Sequence, residues 1–182
     1  MQPIKQLTHF LAQTANVDHY LFALRDLTAV IPGQSPAALK ALAARAEKIG
    51  LLNRVCRGLY IYPLAPYPAG LVLFHAAARL RAHEFNYISL ETALSDAGVI
   101  SQIPMNWITL MSSGRSHIIH CGNFGHIEFV HTKKSLDGIA AQITYDVRCR
   151  LWRASVALAL RDMALTKRNT DLINWEAVDE RL

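Results

Sequence analysis

Residues 34–63 read QSPAALKALAARAEKIGLLNRVCRGLYIYP, a capped helix that runs straight into a short basic β-hairpin. Ser35 is placed to accept a backbone N–H as N-cap, Pro36 suits the first helical position, and Gly50 can take the left-handed conformation that closes a helix. Between these marks Leu39, Leu42, Ala43, Ala46 and Ile49 recur at helical spacing and are expected to form the buried stripe. Ala37, Lys40, Ala41, Ala44, Arg45 and Lys48 fall on other faces, where small alanines beside long basic side chains allow close approach to a sugar-phosphate wall. Residues 51–55 read as a first strand, Cys56-Arg57-Gly58 as a turn whose glycine accepts positive φ, and residues 59–62 as the return strand before Pro63. Arg54 and Arg57 project from this hairpin. Helix plus hairpin is the shape of a winged helix, which makes double-stranded DNA the first partner to consider.

The flanking sequence extends the unit. Residues 4–12 (IKQLTHFLA) and 19–27 (HYLFALRDL) both place apolar residues at i, i+3 and i+4, so each is expected to be helical, with residues 16–18 as turn and cap material. Three helices and a wing result, the third helix entering the major groove and the wing touching an adjacent phosphate or minor groove. Charge points the same way: residues 1–66 carry seven Lys/Arg against three Asp/Glu, whereas residues 67–182 carry twelve against eleven. Most of the net charge of +5 is therefore N-terminal, as expected of a phosphate-binding module attached to a near-neutral domain. The boundary is expected at PLAPYP, residues 63–68, where three prolines make a stiff connector, giving domains 1–66 and 67–182.

Beyond the connector the pattern predicts a mixed α+β domain. Residues 69–83 read as an apolar helix, and Ser89 as the cap of a short one ending at Gly98. The period then changes to two: residues 107–111, 116–121 and 124–131 are β-like runs whose short connections predict an antiparallel meander, with a fourth strand in 142–150. A helix over 155–168, with Val156, Leu158, Ala159, Leu160 and Met163 largely inward, and a short one near 173–178 complete the chain. With 52% hydrophobic and 18% charged residues the composition is that of a folded protein. The apolar run at 70–78 is broken by His75 and stopped by Arg79 and Arg81, short of the ~20 residues a membrane span needs. No signal-peptide pattern opens the chain, so a cytoplasmic location is expected, and Cys56, Cys121 and Cys149 fit reduced thiols better than a disulfide framework.

Catalytic and metal chemistry find little support. His117, His120, Cys121, His126 and His131 are zinc-ligand types at short separations, but residues three apart on a strand face opposite ways, and no CxxC or HExxH reinforces them. Ordinary surface or hydrogen-bonded histidines are the expectation, with no metal and no other cofactor. Glu84, Glu91, Asp96 and Glu128 are too scattered in sequence to nominate a divalent-ion site, and no glycine-rich phosphate loop or Ser/His/Asp arrangement is visible, so no enzyme activity is expected. A different reading makes the chain a protein-interaction module, its support being Tyr60, Tyr62, Tyr67 and Trp107 if they are exposed.

Taken together, RDL at residues 25–27, SPAALKALAARAEKIGLLNRVCRGLY at 35–60, YISLETALSDAGVI at 87–100 and GHIEFVH at 125–131 resemble the AbiEi-type antitoxins of bacterial abortive-infection, type IV toxin-antitoxin systems. The resemblance spans nearly the whole chain, and its most specific part is the pairing of the RGLY wing with YISLETAL some thirty residues later. It implies an N-terminal winged helix-turn-helix that binds inverted repeats in its own promoter and represses the operon. It also implies a C-terminal domain needed to neutralise a nucleotidyltransferase-like toxin without a stable complex; related chains act as stand-alone transcriptional regulators. On this chain the DNA-binding positions it implies are Gln34, Ser35, Lys40 and Arg45, with Arg54 and Arg57 on the wing; Lys48 joins Lys40 as a phosphate contact. Arg45 has the planar fork that reads guanine O6 and N7 together, Gln34 the pair of groups that reads adenine, and the Ser35 backbone can meet a phosphate at the helix start. Basic residues of the second domain, Arg79, Arg81, Lys133, Lys134, Arg148, Arg150 and Arg153, are candidates for the antitoxicity surface, because an exposed cationic face could engage an acidic or nucleic-acid partner.

Overall fold

The computed structural model describes residues 2–101 and 105–181. The chain is a mixed α+β protein that divides into two compact units, Met1–Val72 and Leu73–Leu182. The proline-rich stretch 63–68 lies inside the first of these, where Ala65 is buried and Tyr67 stacks on Tyr20 with ring centroids 5.4 Å apart.

The first unit opens with α1 (Pro3–Thr14), which has Pro3 in its first turn and buries Leu7 and Leu11 one turn apart. The expected helix over 19–27 is not formed as such. Its first part is a strand, β1 (Leu21–Ala23), and only Leu24–Ala29 coils, as a 3-10 helix. The cause lies in burial: Tyr20, Leu21 and Phe22 are all buried, and three consecutive buried residues suit a strand covered on both faces, whereas a surface helix buries one stripe. The Asp26 carboxylate accepts the Ala23 N–H at 2.7 Å and fixes where coiling begins. Then come α2 (Pro36–Lys48) and the hairpin of β2 (Asn53–Cys56) and β3 (Leu59–Ile61). The three strands form one antiparallel sheet in the order β1-β3-β2, with Phe22 opposite Tyr60 and Arg54 opposite Tyr60 on the other side.

The second unit is built on a six-stranded sheet. Its elements in chain order are α3 (Val72–Leu80), β4 (Asn86–Ile88), α4 (Leu90–Asp96), β5 (Trp107–Ser112), β6 (His117–His120), β7 (His126–His131), α5 (Leu136–Ile139), β8 (Ile143–Asp146), β9 (Leu151–Ala154), α6 (Val156–Leu165) and α7 (Trp175–Asp179). The strand order is β6-β7-β5-β4-β9-β8. The expected antiparallel meander is therefore corrected: β5 does not pair with β6, and β7 lies between them, antiparallel to β6 but parallel to β5. Hydrophobicity decides the order. The HIIH run of β6 is mostly exposed and takes the sheet edge, whereas Ile127 and Phe129 of β7 are buried and take an interior place beside the almost wholly buried β5. Gly125 permits the junction: a Cβ there would stand 1.8 Å from the Asn106 carbonyl oxygen, which accepts the His126 N–H at 2.8 Å.

The fourth strand expected within residues 142–150 is β8, one arm of a hairpin whose partner is β9. Two strands of this sheet, β9 and β4, were not expected; β4, too short to read as a period-two run, sits at the sheet centre between β5 and β9. Ser89 stands at the N-cap of α4, but its hydroxyl does not cap; it donates to the buried Asp162 carboxylate at 2.7 Å. Buried His75 is satisfied by the Arg148 carbonyl, to which its Nε2–H donates at 2.6 Å. Among the described residues no helix is long and apolar enough to cross a membrane, and none of the three buried cysteines forms a disulfide.

Candidate nucleic-acid interface

The geometry of α2 follows from its ends. The Ser35 hydroxyl accepts the Ala38 N–H at 3.2 Å, Pro36 occupies the first turn, and Gly50 follows the helix at φ +72°. Leu39, Leu42, Ala43 and Ala46 face the core. Ile49, expected on that stripe, is 59% exposed and is the C-cap residue, at which the helix stops. The opposite face presents Ala37, Lys40, Ala41, Ala44, Arg45 and Lys48, all exposed. Spacings of three and four put Ala37, Ala41, Ala44 and Lys48 along the middle of that face, with Lys40 and Arg45 on its two flanks. Arg45 and Lys48 also fall in the last turn, where cations suit the helix dipole.

Gln34 and Ser35 are exposed just ahead of the helix, after Gly33 at φ +76°. The hairpin beyond it turns at Arg57-Gly58, the glycine at φ +77°, and its carbonyl accepts the Leu24 N–H at 3.0 Å, tying the tip to the start of the 3-10 helix. Arg54 is exposed on β2, with its Nε 3.4 Å from the Cys56 carbonyl across a register shift, and Arg57 is exposed at the turn. Among the described residues, Lys40, Arg45, Lys48 and Arg57 form no ion pair with a carboxylate. All seven expected DNA-binding positions thus lie in one continuous stretch of the first unit and are solvent-accessible.

The candidate surface of the second unit is not brought together in the same way. Arg81 donates to the Ser112 hydroxyl at 2.8 Å and the Arg115 carbonyl at 2.6 Å, and its guanidinium lies 3.9 Å from the Phe129 ring centroid; this burial lowers its pKa. Lys134 bonds Asp162 at 2.5 Å, and Arg153 pairs with both Asp96 and Asp146. Arg79 and Arg150 are half-buried, and only Lys133 and Arg148 of the set are exposed. Sequence reading missed the anion at the centre of this unit. Asp162 is fully buried in α6 and also receives the hydroxyls of Tyr87 at 3.0 Å and Ser89 at 2.7 Å. Burial first, and then the Asp162 carboxylate, hold the Tyr87 phenol above its ordinary pKa. The signal was available: Asp162 falls on the inward stripe shared by Leu158, Ala159 and Met163.

The histidines spread along the β6–β7 edge. His120 and His126 are cross-strand partners with ring centroids 4.5 Å apart, and His126 stacks on Trp107 at 4.7 Å. His117 lies opposite Phe129, and His131 Nδ1–H donates to the Gly114 carbonyl at 2.9 Å. No group of three or more His, Cys, Asp or Glu is placed to hold a metal among the described residues. Glu91 and Glu128, far apart in sequence, do meet, but on either side of Arg168, which pairs with both; Trp107 Nε1–H adds a bond to Glu128 at 3.2 Å. The aromatics that would have marked an interaction surface are occupied. Tyr60 and Tyr62 are buried, Tyr67 stacks on Tyr20, and Trp107 packs on His126.

No family model and no curated protein matches the chain. Among solved structures, a match is the crystal structure of the RV2827C protein from Mycobacterium tuberculosis, with a TM-score of 0.47 and 16% sequence identity over 82% of this chain. The chain spans 52% of that protein's length.

Proposed function

We propose that the first unit is a winged helix-turn-helix that binds double-stranded DNA, and that the chain represses its own operon and serves as its antitoxin in the manner of the AbiEi-type proteins it resembles. The observation that carries this reading is the outer face of α2: exposed Lys40, Arg45 and Lys48, without ion pairs among the described residues, interleaved with Ala37, Ala41 and Ala44. Small side chains allow the helix axis to approach the groove floor, which brings the long Arg45 side chain within reach of base edges while Lys40 on the other flank meets a phosphate wall. The order α1, β1, 3-10 helix, α2, β2–β3 hairpin, with β1 closing the sheet on β3, supports it as well, because a winged helix-turn-helix presents its parts in that order.

In this mechanism α2 enters the major groove, the Arg45 fork donates to guanine O6 and N7, and Gln34 reads an adenine at the helix start. Lys40 and Lys48 neutralise phosphates, and Arg54 and Arg57 hold the neighbouring backbone from the hairpin. An inverted-repeat operator takes two copies, one per half-site. The second unit supplies antitoxicity towards a nucleotidyltransferase-like toxin with no stable complex between the two proteins.

Gel shifts on the chain's own promoter, combined with a growth assay, test both halves. A triple Lys40→Ala, Arg45→Ala, Arg57→Ala variant is expected to lose operator binding and repression. With the toxin expressed from a separate promoter, it is still expected to rescue growth. Wild-type operator affinity in that variant sinks the DNA-binding assignment. Rescue that disappears together with DNA binding reduces the chain to a stand-alone repressor.

A further inference from the structure

A cleft of about 400 Å³ opens in the second unit between the β7–α5 connection and α6, within the size range of small-molecule sites. Its lining carries three cations, Lys133, Lys134 and Arg161, and no carboxylate. Ile139, Leu158 and Leu165 form an apolar wall. The cations are held differently. Lys134 is anchored from beneath, one of its three N–H donors taken by the buried Asp162 at 2.5 Å, so the remaining two are positioned with little freedom left to lose. Lys133 and Arg161 are exposed and form no ion pair among the described residues. Arg161 and Asp162 are neighbours on α6, yet the carboxylate turns into the core and the guanidinium lines the cleft, which separates the anion from the mouth of the site.

A fourth polar group is unspent. Gln142 lines the cleft, and its side-chain oxygen is buried without a hydrogen-bond donor among the described residues. Native interiors rarely leave such an acceptor unmet, and each one calls for an explanation. A bound molecule carrying a hydroxyl or amino group supplies the missing donor.

We propose that this cleft binds a small phosphorylated molecule whose body carries a hydrogen-bond donor, the chemistry shared by nucleoside monophosphates and sugar phosphates. The charge balance favours phosphate over carboxylate. A monoester carries about −1.5 to −2 at neutral pH and so matches the two exposed cations, with the residual donors of Lys134 left for its oxygens, whereas one carboxylate leaves one of the two exposed cations uncompensated. The apolar wall of Ile139, Leu158 and Leu165 receives the face of a base or sugar ring, and Gln142 takes its donor. This site stands independently of the winged-helix reading, since none of its residues belongs to the first unit.

Titration calorimetry on the whole 182-residue chain tests it, with AMP, ribose 5-phosphate, adenosine and inorganic phosphate as probes. AMP and ribose 5-phosphate are expected to bind saturably and adenosine roughly tenfold more weakly or worse; whichever of the first two binds more tightly assigns the body. A Lys133→Gln, Arg161→Gln double variant, altered only at exposed side chains, is expected to keep its melting temperature and lose roughly tenfold or more in AMP affinity. Gln142→Leu is expected to weaken AMP more than inorganic phosphate. The proposal is overturned if no phosphate probe saturates by about 1 mM, if the double variant binds AMP as wild type does, or if inorganic phosphate binds as tightly as AMP. A single-stranded oligonucleotide that needs Lys133 and Arg161 while AMP fails to bind also overturns it, making the cleft part of a nucleic-acid surface.

Discussion

The two units use their cations in opposite ways. In the first, Lys40, Arg45, Lys48 and Arg57 stand exposed with no ion pair among the described residues. In the second, Arg81, Lys134, Arg153 and Arg168 are occupied by carbonyls, hydroxyls, carboxylates and a ring face. The second unit has twelve basic residues to the first unit's seven, yet only six of the twelve are exposed, whereas all seven of the first are. A charge count in sequence therefore measures less than the count of charges left over after folding. That remainder is consistent with the proposed nucleic-acid role of the first unit and narrows the second unit's exposed cations to six, among them Lys133, Arg148 and Arg161.

The contrast is broken most forcefully at Asp162. Asp162→Ala leaves the Tyr87 and Ser89 hydroxyls and the Lys134 ammonium without their shared acceptor, and removing one partner of a buried charged pair costs about 3–5 kcal/mol. The melting temperature is expected to fall by on the order of 10 °C or more. A variant that melts within about 2 °C of wild type shows that the network carries no stability. Arg45→Ala is the counterpart in the first unit. Its stability is expected to change by less than about 0.5 kcal/mol, while operator binding loses about 1–3 kcal/mol and selectivity relaxes at one base pair. Unaltered affinity and selectivity in a gel-shift series remove Arg45 from the reading face. The wing should give a smaller effect: Arg54→Ala or Arg57→Ala weakens all DNA about equally and makes the slope of log K against log salt shallower by about one. An unchanged slope in both variants takes the hairpin off the DNA.

Elements whose stabilising contacts are local were legible in the sequence. The ends of α2, the Arg57-Gly58 turn and the α+β class could all be read, because Ser35, Gly50 and Gly58 act within a few residues of themselves; Ser155, whose hydroxyl caps α6, was legible only as the start of a helix. What failed depended on distant partners. The 19–27 segment carries a helical period, but pairing of Phe22 with Tyr60 makes its first part a strand. The place of β7 beside β5 rests on competition between two short strands for the interior, and three residues of β4 are too few to show a period. The exposure of Gln34, Ser35, Lys40, Arg45, Lys48, Arg54 and Arg57, the positions proposed to meet DNA, was legible because helix spacing and a two-residue turn fix it locally. The pairing of Arg81 with Ser112, Lys134 with Asp162 and Arg153 with Asp96 was not, since these partners lie 31, 28 and 57 residues away; the second partner of Arg153, Asp146, is seven residues away but belongs to the facing strand of a hairpin that was not legible in the sequence.

The smallest effect expected is an acid-side one at Asp146, and it tests whether the partly exposed Asp146–Arg153 pair adds to what the buried Asp162 network contributes. The Asp146 carboxylate accepts the Arg148 and Cys149 N–H groups at 3.0 and 3.1 Å on one oxygen, and Arg153 at 2.9 and 3.1 Å on the other. Burial by itself would raise its pKa, but the bonds from Cys149 and Arg153 outweigh that and hold it below the usual carboxylate value. A carboxylate depressed in the folded state adds stability that is fully present above its unfolded pKa and is lost as pH falls through its folded one. Denaturant midpoints are therefore expected to decline on the acid side of about pH 4, and Asp146→Asn is expected to lower the midpoint at neutral pH while removing its own share of that decline. The same change separates electrostatics from burial at Cys149, whose thiol is pushed up to about 11 first by burial and then by Asp146. With the charge gone and the burial kept, the thiol stays above its ordinary value and alkylation stays slow at neutral pH. Rapid labelling in Asp146→Asn means instead that the β8–β9 hairpin has opened, and that the Arg153 pair was holding it shut.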